Sequence, residues 1–383
     1  MHQKALTKIV FFHPRFSNGG VERTNIGLAK ILIKAGYEVS FATFLHTNHF
    51  LKEVKQSGIE FISLPATKAS TAQLYLLTYI KEEAKKFSRV VVISCQNYAN
   101  ITCCLFKPFW PKNCDLVLSE RNHLDELDHN KNFKSNLIKR LMPLTYAQAD
   151  KIVANSSELA ESLSSRLQTS VSVIYNPTIQ NRIFELAQEE ITESWFPKDS
   201  VSTIVAIGRL STQKDFDTLI KAFSILRRSI EAKLLILGDG EKRNDLTKLI
   251  NELNIQSDVL MPGFVSNPYK FLKNSEIFVL SSIYEGLPNV LIEALALGVP
   301  SVSTLCRSGP KEILLDGDAG ILVPMQNPEL LANAIIDMIQ NPEVARKMIE
   351  TAKQSLERFK PDSVARELIR VLNLPNIDEY GAI

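Results

Sequence analysis

Short runs of β-branched and other apolar residues alternate with longer amphipathic stretches along almost the whole chain, the pattern of strand–helix units in a parallel sheet. In the first half the strand-like runs are KIVFFH (8–13), YEVSFATF (37–44), IEFISLP (59–65), RVVVIS (89–94), DLVLS (115–119), KIVANS (151–156) and VSVIY (171–175). Helical spacing is clearest over 21–35, 72–87 and 133–148. Over 176–200 the pattern gives way to a polar stretch holding Asn176-Pro177 and Trp195-Phe196-Pro197, which reads as a linker. A second series comes next: STIVAIG (202–208), AKLLILG (232–238), DVLMPG (258–263), EIFVLSS (276–282), PSVST (300–304) and GILVP (320–324), with helices predicted at 215–229, 241–253, 289–297, 327–340 and 342–357. The chain therefore reads as α/β, with two doubly wound domains in tandem over 1–180 and 200–360. Residues 361–383 form a C-terminal helix or tail, expected to pack back on the first domain. Ligands of such sheets lie beyond the carboxyl ends of the strands, and two domains add the cleft between them as an expected site.

Composition narrows the class. A chain of 383 residues, 45% apolar and 22% charged, suits two ordinary domains and excludes a disordered, collagen-like or disulfide-stapled protein. Its five cysteines form no CxxC pair and, with six scattered histidines, give no structural zinc site. The odd cysteine count points to a reducing compartment, hence a cytoplasmic location. Lys4 and Lys8 precede only a four-residue apolar run, so no signal peptide is expected, and no stretch is long and apolar enough for a membrane span. The net charge of +2 is uneven: residues 1–190 carry 23 Lys and Arg against 17 Asp and Glu, and the rest 21 against 25. A modestly basic first half suits a phosphorylated ligand or a membrane surface, and is too weak for nucleic acid.

The loops after the strands hold the candidate chemistry. Gly19 and Gly20 precede the first helix, where backbone N–H groups and the helix end favour an anion; GxGxxG is absent, and an ordinary tight turn is the alternative. In the second domain Arg209 and Lys214 lie between a strand and a helix with Asp215 as N-cap, a cradle for a diphosphate rather than two solvated cations. Gly238-Asp239-Gly240 is another strand-to-helix turn, with Asp239 read as turn chemistry. Phe264 either flanks a base or is buried. The most informative segment runs from Ser281 to Ala294. Glu285 lies in its Gly/Pro loop, and Glu293 lies among apolar helical neighbours, where a carboxylate needs a partner such as sugar hydroxyls.

With an early Gly-Gly loop, GRL…QK, an E-x7-E pair and the segment EGLPNVLIEALALGVP, the chain resembles retaining glycosyltransferases of the GT-B fold, two Rossmann-like domains facing a central cleft. More narrowly, it is similar to glycosyltransferase family four, and the resemblance spans essentially the whole chain. The resemblance implies that Glu285 binds donor-sugar hydroxyls, that Glu293 holds the ribose, and that Arg209 and Lys214 neutralise the departing diphosphate. It further implies that the N–H groups of Asn289 and Val290 support the phosphates, with Gly286, Leu287 and Pro288 in the same donor loop. Gly238 and the paired Gly19 and Gly20 also belong to the donor site, and the loop at Phe264 and Val265 receives the base. No cofactor or metal is expected, and the departing phosphate oxygen would itself take the acceptor's proton in a front-face substitution. Many members carry a His at the end of the fifth first-domain strand. Here the register puts Arg121 there and His123 two residues later. Either Glu120-Arg121 meets sugar or acceptor, or the register is different; alternatively Arg121 pairs with Glu120 or another acid.

The resemblance implies transfer of a hexose or N-acetylhexosamine from a UDP-sugar to a glycan or lipid-linked acceptor, in cell-surface polysaccharide, lipopolysaccharide or glycan assembly. SGPKEIL (308–314) is similar to branches using UDP-N-acetylgalactosamine, UDP-N-acetylglucosamine or UDP-galactose, although GDP-mannose enzymes share most motifs. Peripheral attachment to anionic lipid at the inner membrane face is expected from Phe106, Lys107, Phe109, Trp110 and Lys112 with the stretch Lys131–Arg140; a partly buried loop and a solvated helix face are the alternative. Two other functions fit the same fold: a nucleotide-sugar epimerase or hydrolase, and a catalytically silent nucleotide-sugar-binding scaffold. Asp316-Gly317-Asp318 reads as a turn rather than a metal site, His46 and His49 lack a third ligand, and no GxSxG elbow supports Ser-His-Asp chemistry.

Overall fold

The thirteen apolar runs are the strands of two parallel sheets in a computed structural model that describes residues 5–16, 20–46, 51–121, 133–196 and 201–375. In the first sheet these are β1 (Ala5–Phe12), β2 (Glu38–Thr43), β3 (Glu60–Ser63), β4 (Phe87–Ser94), β5 (Cys114–Glu120), β6 (Lys151–Ala154) and β7 (Ser172–Val173). Their spatial order is 3-2-1-4-5-6-7. The second sheet holds β8 (Ser202–Ile207), β9 (Ala232–Leu237), β10 (Val259–Gly263), β11 (Ile277–Leu280), β12 (Ser301–Thr304) and β13 (Ile321–Val323), in the order 10-9-8-11-12-13. Both sheets thus turn back on themselves beside their first strand, the switch point of a doubly wound fold.

Strands buried on both faces explain the unbroken apolar runs. Side chains alternate across a strand, so β1 sends Val10 and Phe12 into one core and Ile9 and Phe11 into the other. In β4, Val90 and Val92 join the first of these cores and Val91 and Ile93 the second. The eight predicted helices are present within a few residues of their expected ends, for example Gly20–Lys34, Phe216–Leu226 and Asn289–Ala296. Others escaped the pattern. Asn97–Phe106 buries Ala99, Asn100, Ile101, Cys103 and Cys104, so it is enclosed over much of its circumference and shows little polar–apolar alternation.

The chain divides into two units, one of residues up to Pro177 together with the chain from Pro361, the other Thr178–Lys360. Most of the polar stretch at 176–200 belongs to the second unit rather than forming a free linker. It contains the helix Asn181–Ala187; Trp195 and Phe196 lie 4.7 and 5.5 Å from the Phe271 ring, and Lys270 pairs with Glu193 at 2.8 Å. In the first unit the helix Pro361–Val371 places Val364, Ala365, Leu368 and Val371 in the same core as Ile26, Ala29 and Leu32 of Gly20–Lys34. Arg89 and Tyr37 fasten the chain just beyond this helix, Arg89 donating to the carbonyls of Leu372 and Asn373 at 2.9 Å and Tyr37 to that of Pro375 at 2.6 Å.

Candidate functional site

In the second unit, the loops leaving β8, β9, β10 and β11 are laced together at the carboxyl ends of their strands. The loop after β8 makes a short turn, Thr212–Lys214, and enters Phe216–Leu226 through Asp215, whose carboxylate accepts from the Thr218 N–H at 3.4 Å and hydroxyl at 2.7 Å. Burial raises the Asp215 pKa above its ordinary value. That turn is tied to the β11 loop by three bonds: Ile283 N to Gln213 O (2.9 Å), Ser281 Oγ to Lys214 O (2.7 Å) and Gln213 Nε2 to Tyr284 O (3.0 Å).

This lacing brings Lys214 and Glu285 into an ion pair of 2.6 Å, with side chains only 15% and 9% exposed. Glu285 Oε1 also accepts from Ser282 Oγ at 2.6 Å, whereas Oε2 has only a long contact, 3.5 Å, from Gln213 Nε2. One carboxylate oxygen is therefore used for positioning and the other keeps accepting capacity for a ligand hydroxyl. Arg209 differs: its side chain is 74% exposed and pairs with Glu241, itself 56% exposed, at 3.1 Å. Such a surface pair contributes little and exchanges readily for a phosphate.

Glycine lets the loops approach. Gly238 has φ +145°, and a Cβ there would lie 1.9 Å from the carbonyl oxygen of Gly208. The Gly238 N–H donates to Gly263 O at 3.0 Å, so the β10 loop is stacked on the same layer, and Phe264 immediately beyond it is 71% exposed rather than buried. Behind the β11 loop, Glu285 N donates to Arg307 O at 2.6 Å, Ser308 N to Glu285 O at 3.0 Å and Ser308 Oγ to Gly286 O at 2.7 Å. Gly286, Leu287 and Pro288 are buried in this frame. Asn289–Ala296 then opens with Pro288 as N-cap, a residue whose side chain cannot cap, while Asn289 Oδ1 accepts from Thr178 Oγ1 at 3.1 Å. Glu293, one turn on, accepts from the Tyr269 hydroxyl at 3.0 Å.

The structure thus brings Lys214 and Glu285 into contact, and stacks the loops of Arg209, Gly238 and Phe264 on one sheet edge. The sequence reading missed Ser282, Gln213 as a partner of Glu285, and Tyr269. Paired serines ending an apolar strand were a usable signal, since Ser281 and Ser282 are both buried and so need partners. Asp239 behaves as turn chemistry, accepting from Gly240 N at 2.8 Å. Asp316 sits at φ +58° and pairs with Lys311 at 3.0 Å.

The first unit holds Arg121 just past β5. Its guanidinium donates to Ser119 Oγ (3.2 Å), Asn176 Oδ1 (2.8 Å) and Asn25 Oδ1 (2.7 Å). The pairing with Glu120 considered from sequence does not occur. Neighbours on an extended chain point to opposite faces, and Glu120 turns inward to accept from Asn100 Nδ2 (2.6 Å) and the Tyr146 hydroxyl. Burial lowers the Arg121 pKa and, with Arg121 nearby, pulls His13 down to about 3. Gly20 opens the first helix; Gly19, His123 and His49 lie outside the described residues.

The aromatic–basic patch is also different from expectation. Trp110 is buried, and Lys107 is committed to Cys114 O and to Asp150, each at 2.6 Å. Lys112 is exposed, as are Leu105 and Phe109, with Leu137 and Leu144 on the helix Phe133–Thr145. No helix among the described residues is long and apolar enough to cross a membrane.

Comparison with known proteins agrees with this architecture. Residues 18–180 match Glycosyltransferase Family 4 and residues 187–355 match Glycosyl transferases group 1. An uncharacterized glycosyltransferase of Methanocaldococcus jannaschii is 38% identical over 67% of this chain and 71% of its own length. The N-acetylgalactosamine-N,N'-diacetylbacillosaminyl-diphospho-undecaprenol 4-alpha-N-acetylgalactosaminyltransferase of Campylobacter jejuni is 29% identical over 96% of this chain and 100% of its own. Among solved structures, a glycosyltransferase from Rickettsia africae superposes with a TM-score of 0.80 at 19% identity, covering 97% of this chain and 100% of its own. Anabaena HepE in complex with UDP-glucose gives 0.74 at 18% identity, over 96% and 99%. The two sheets are therefore the two Rossmann-like halves of a GT-B fold, and the chain is a glycosyltransferase of family 4.

Proposed function

We propose that the protein is a retaining, metal-independent transferase that moves a hexose or N-acetylhexosamine from a UDP-sugar to a glycan or lipid-linked saccharide. The observation that carries this reading is the Lys214–Glu285 pair at the end of β8 and β11, held by Ser282 and Gln213 beside an exposed Arg209. In this reading Glu285 Oε2 receives donor-sugar hydroxyls. Lys214 and Arg209 meet the diphosphate, whose charge grows as the glycosidic bond breaks, so their attraction is strongest in the transition state. The positive end of the helix Asn289–Ala296 adds attraction for the same oxygens. Glu293, steadied by Tyr269, takes the ribose, and exposed Phe264 stacks on the base. The departing phosphate oxygen accepts the acceptor's proton, so no protein carboxylate has to act as nucleophile. A lipid-diphosphate acceptor, as in the name of the Campylobacter relative, is extended to this chain as part of the proposal.

Thermal unfolding with UDP, GDP, ADP and CMP at matched concentration, without added metal, tests the donor. A nucleotide at about a hundred times its dissociation constant adds roughly 2.7 kcal/mol. Stabilisation by UDP alone is expected. Stabilisation by GDP alone moves the donor to GDP-mannose, and none with any nucleotide removes the diphosphate cradle.

Peripheral membrane attachment belongs to the same reading. Residues 97–112 and 133–149 contain no Asp or Glu and, besides the Asp150-paired Lys107, hold Lys112, Lys134, Lys139 and Arg140, and the exposed Leu105, Phe109, Leu137 and Leu144 lie on these segments. Apolar prongs among cations suit anionic lipid. Flotation with vesicles containing phosphatidylglycerol is expected to recover the native protein at low salt and lose most of it for Phe109→Glu/Leu144→Glu. Equal recovery of both would place attachment elsewhere.

A further inference from the structure

Arg121 is a partly buried cation whose hydrogen-bond partners among the described residues are all neutral. Ser119, Asn176 and Asn25 each accept one N–H, which leaves one N–H on each terminal guanidinium nitrogen without an acceptor among the described residues. No described carboxylate forms an ion pair with it, and Glu22 acts on it only from a distance. The groups behind it carry no charge either. Because Asn25 Oδ1 accepts from Arg121, its amide donates to His13 Nε2 at 2.9 Å and to Cys95 Sγ at 3.3 Å. His13 is then the neutral tautomer, and burial keeps the Cys95 thiol protonated, its pKa pushed up to about 12.

A desolvated cation held only by neutral dipoles is costly unless an anion completes the site. A residue serving merely as a tie would meet this need with a carboxylate, as Arg89 does with Asp115 at 2.6 Å in the same sheet. The position adds a second argument. His13 follows β1, Ser119 is the penultimate residue of β5 and Asn176 follows β7, so the cluster occupies the carboxyl edge of the sheet, where doubly wound domains meet ligands. Bonds from three separate parts of the chain fix the guanidinium plane in advance, and a planar fork with two free N–H groups matches two oxygens of one phosphate.

We propose that Arg121, oriented by Asn25, Asn176 and Ser119, is a phosphate-recognition residue of the first unit that binds an oxyanion of a substrate. The inference rests on the glycosyl-transfer reading. Two sources supply that chemistry, the diphosphate of the nucleotide-sugar and a phosphate of the acceptor. The second unit already offers Arg209 and Lys214 to the former, which favours the acceptor's phosphate.

The test uses the full chain with Arg121→Gln and Arg121→Lys. Initial rates are measured with UDP-N-acetylgalactosamine against an undecaprenyl-diphosphate-linked saccharide and against the same saccharide as a phosphate-free alkyl glycoside. Arg121→Gln is expected to raise KM for the diphosphate-linked acceptor by about tenfold or more, the loss of a charge-assisted bond, with Arg121→Lys in between. KM for the donor and rates with the alkyl glycoside are expected to stay within about twofold of the native values. A rise in donor KM instead would keep the phosphate role and assign it to the nucleotide-sugar. Inorganic pyrophosphate, added in thermal unfolding with UDP saturating, gives a readout that needs no turnover: it should stabilise the native chain and not Arg121→Gln. Equal stabilisation of both, with neither KM changed, would reduce Arg121 to a structural tie. If Arg121→Gln fails to fold, Arg121→Lys decides by the same comparison. A native chain that turns over no UDP-sugar counts against the transfer reading, while the pyrophosphate shift still decides for or against Arg121.

Discussion

Glu285→Gln is expected to lower kcat by about a thousandfold while UDP continues to stabilise the protein. Oε1 of Glu285 is taken by Lys214 and Ser282, and Oε2, with only the long contact from Gln213 among the described residues, keeps accepting capacity for a sugar hydroxyl in the proposed reading. Gln keeps the shape of the side chain but removes the charge, so it neither holds Lys214 in place nor accepts a sugar hydroxyl as strongly. A thousandfold corresponds to about 4 kcal/mol of transition-state stabilisation, the scale found when a preorganised electrostatic group is removed. Nucleotide binding obeys the opposite logic, since Lys214, released from its carboxylate, is freer to meet a diphosphate. Initial rates and thermal shifts with UDP on the same preparation separate the two effects. Turnover within about tenfold of native would take Glu285 away from the reacting centre.

Gly238→Ala is expected to cost about 3 kcal/mol or more, chiefly in the second unit. Two penalties combine there. A φ of +145° is a conformation L residues rarely adopt, and the new methyl would fall 1.9 Å from the Gly208 carbonyl oxygen, which belongs to backbone and cannot rotate away. Strain and overpacking each contribute on the order of 1–3 kcal/mol. For a unit of this size the midpoint should drop by roughly 6–12 °C. Since Gly208 leads directly to Arg209, nucleotide stabilisation should also weaken at temperatures where the variant is still folded. Calorimetry with and without UDP measures both, and a midpoint within a degree or two of native would mean that the loops separate at little cost.

The strands were legible because a sheet covered on both faces needs uninterrupted apolar runs, and β1, β4, β8 and β9 supply them. Asn97–Phe106 was not, because a helix enclosed on most sides loses the periodic signal that would reveal it. In the site, charges at the ends of apolar strands are conspicuous, so Arg209, Lys214 and Glu285 stood out in the sequence. Their partners did not. Gln213 and Glu285 are 72 positions apart, and Asn25 and Arg121 are 96 apart, so the contacts arise from the fold and leave no local trace. The environment of Arg121 was partly deducible, since the two-residue period of a strand already separates it from Glu120. Its neutral surroundings were not, because they depend on residues brought in from the first helix and from beyond β7.

The return of Pro361–Val371 to the first unit affects how the molecule is made. Synthesis proceeds from the amino end, yet the apolar face of Gly20–Lys34 receives Val364, Ala365, Leu368 and Val371 only after the whole second unit has left the ribosome. The half that is made first is thus completed last. Nascent chains halted before residue 361 should hold a finished second unit attached to an unfinished first, with Ile26, Ala29 and Leu32 uncovered and open to chaperones.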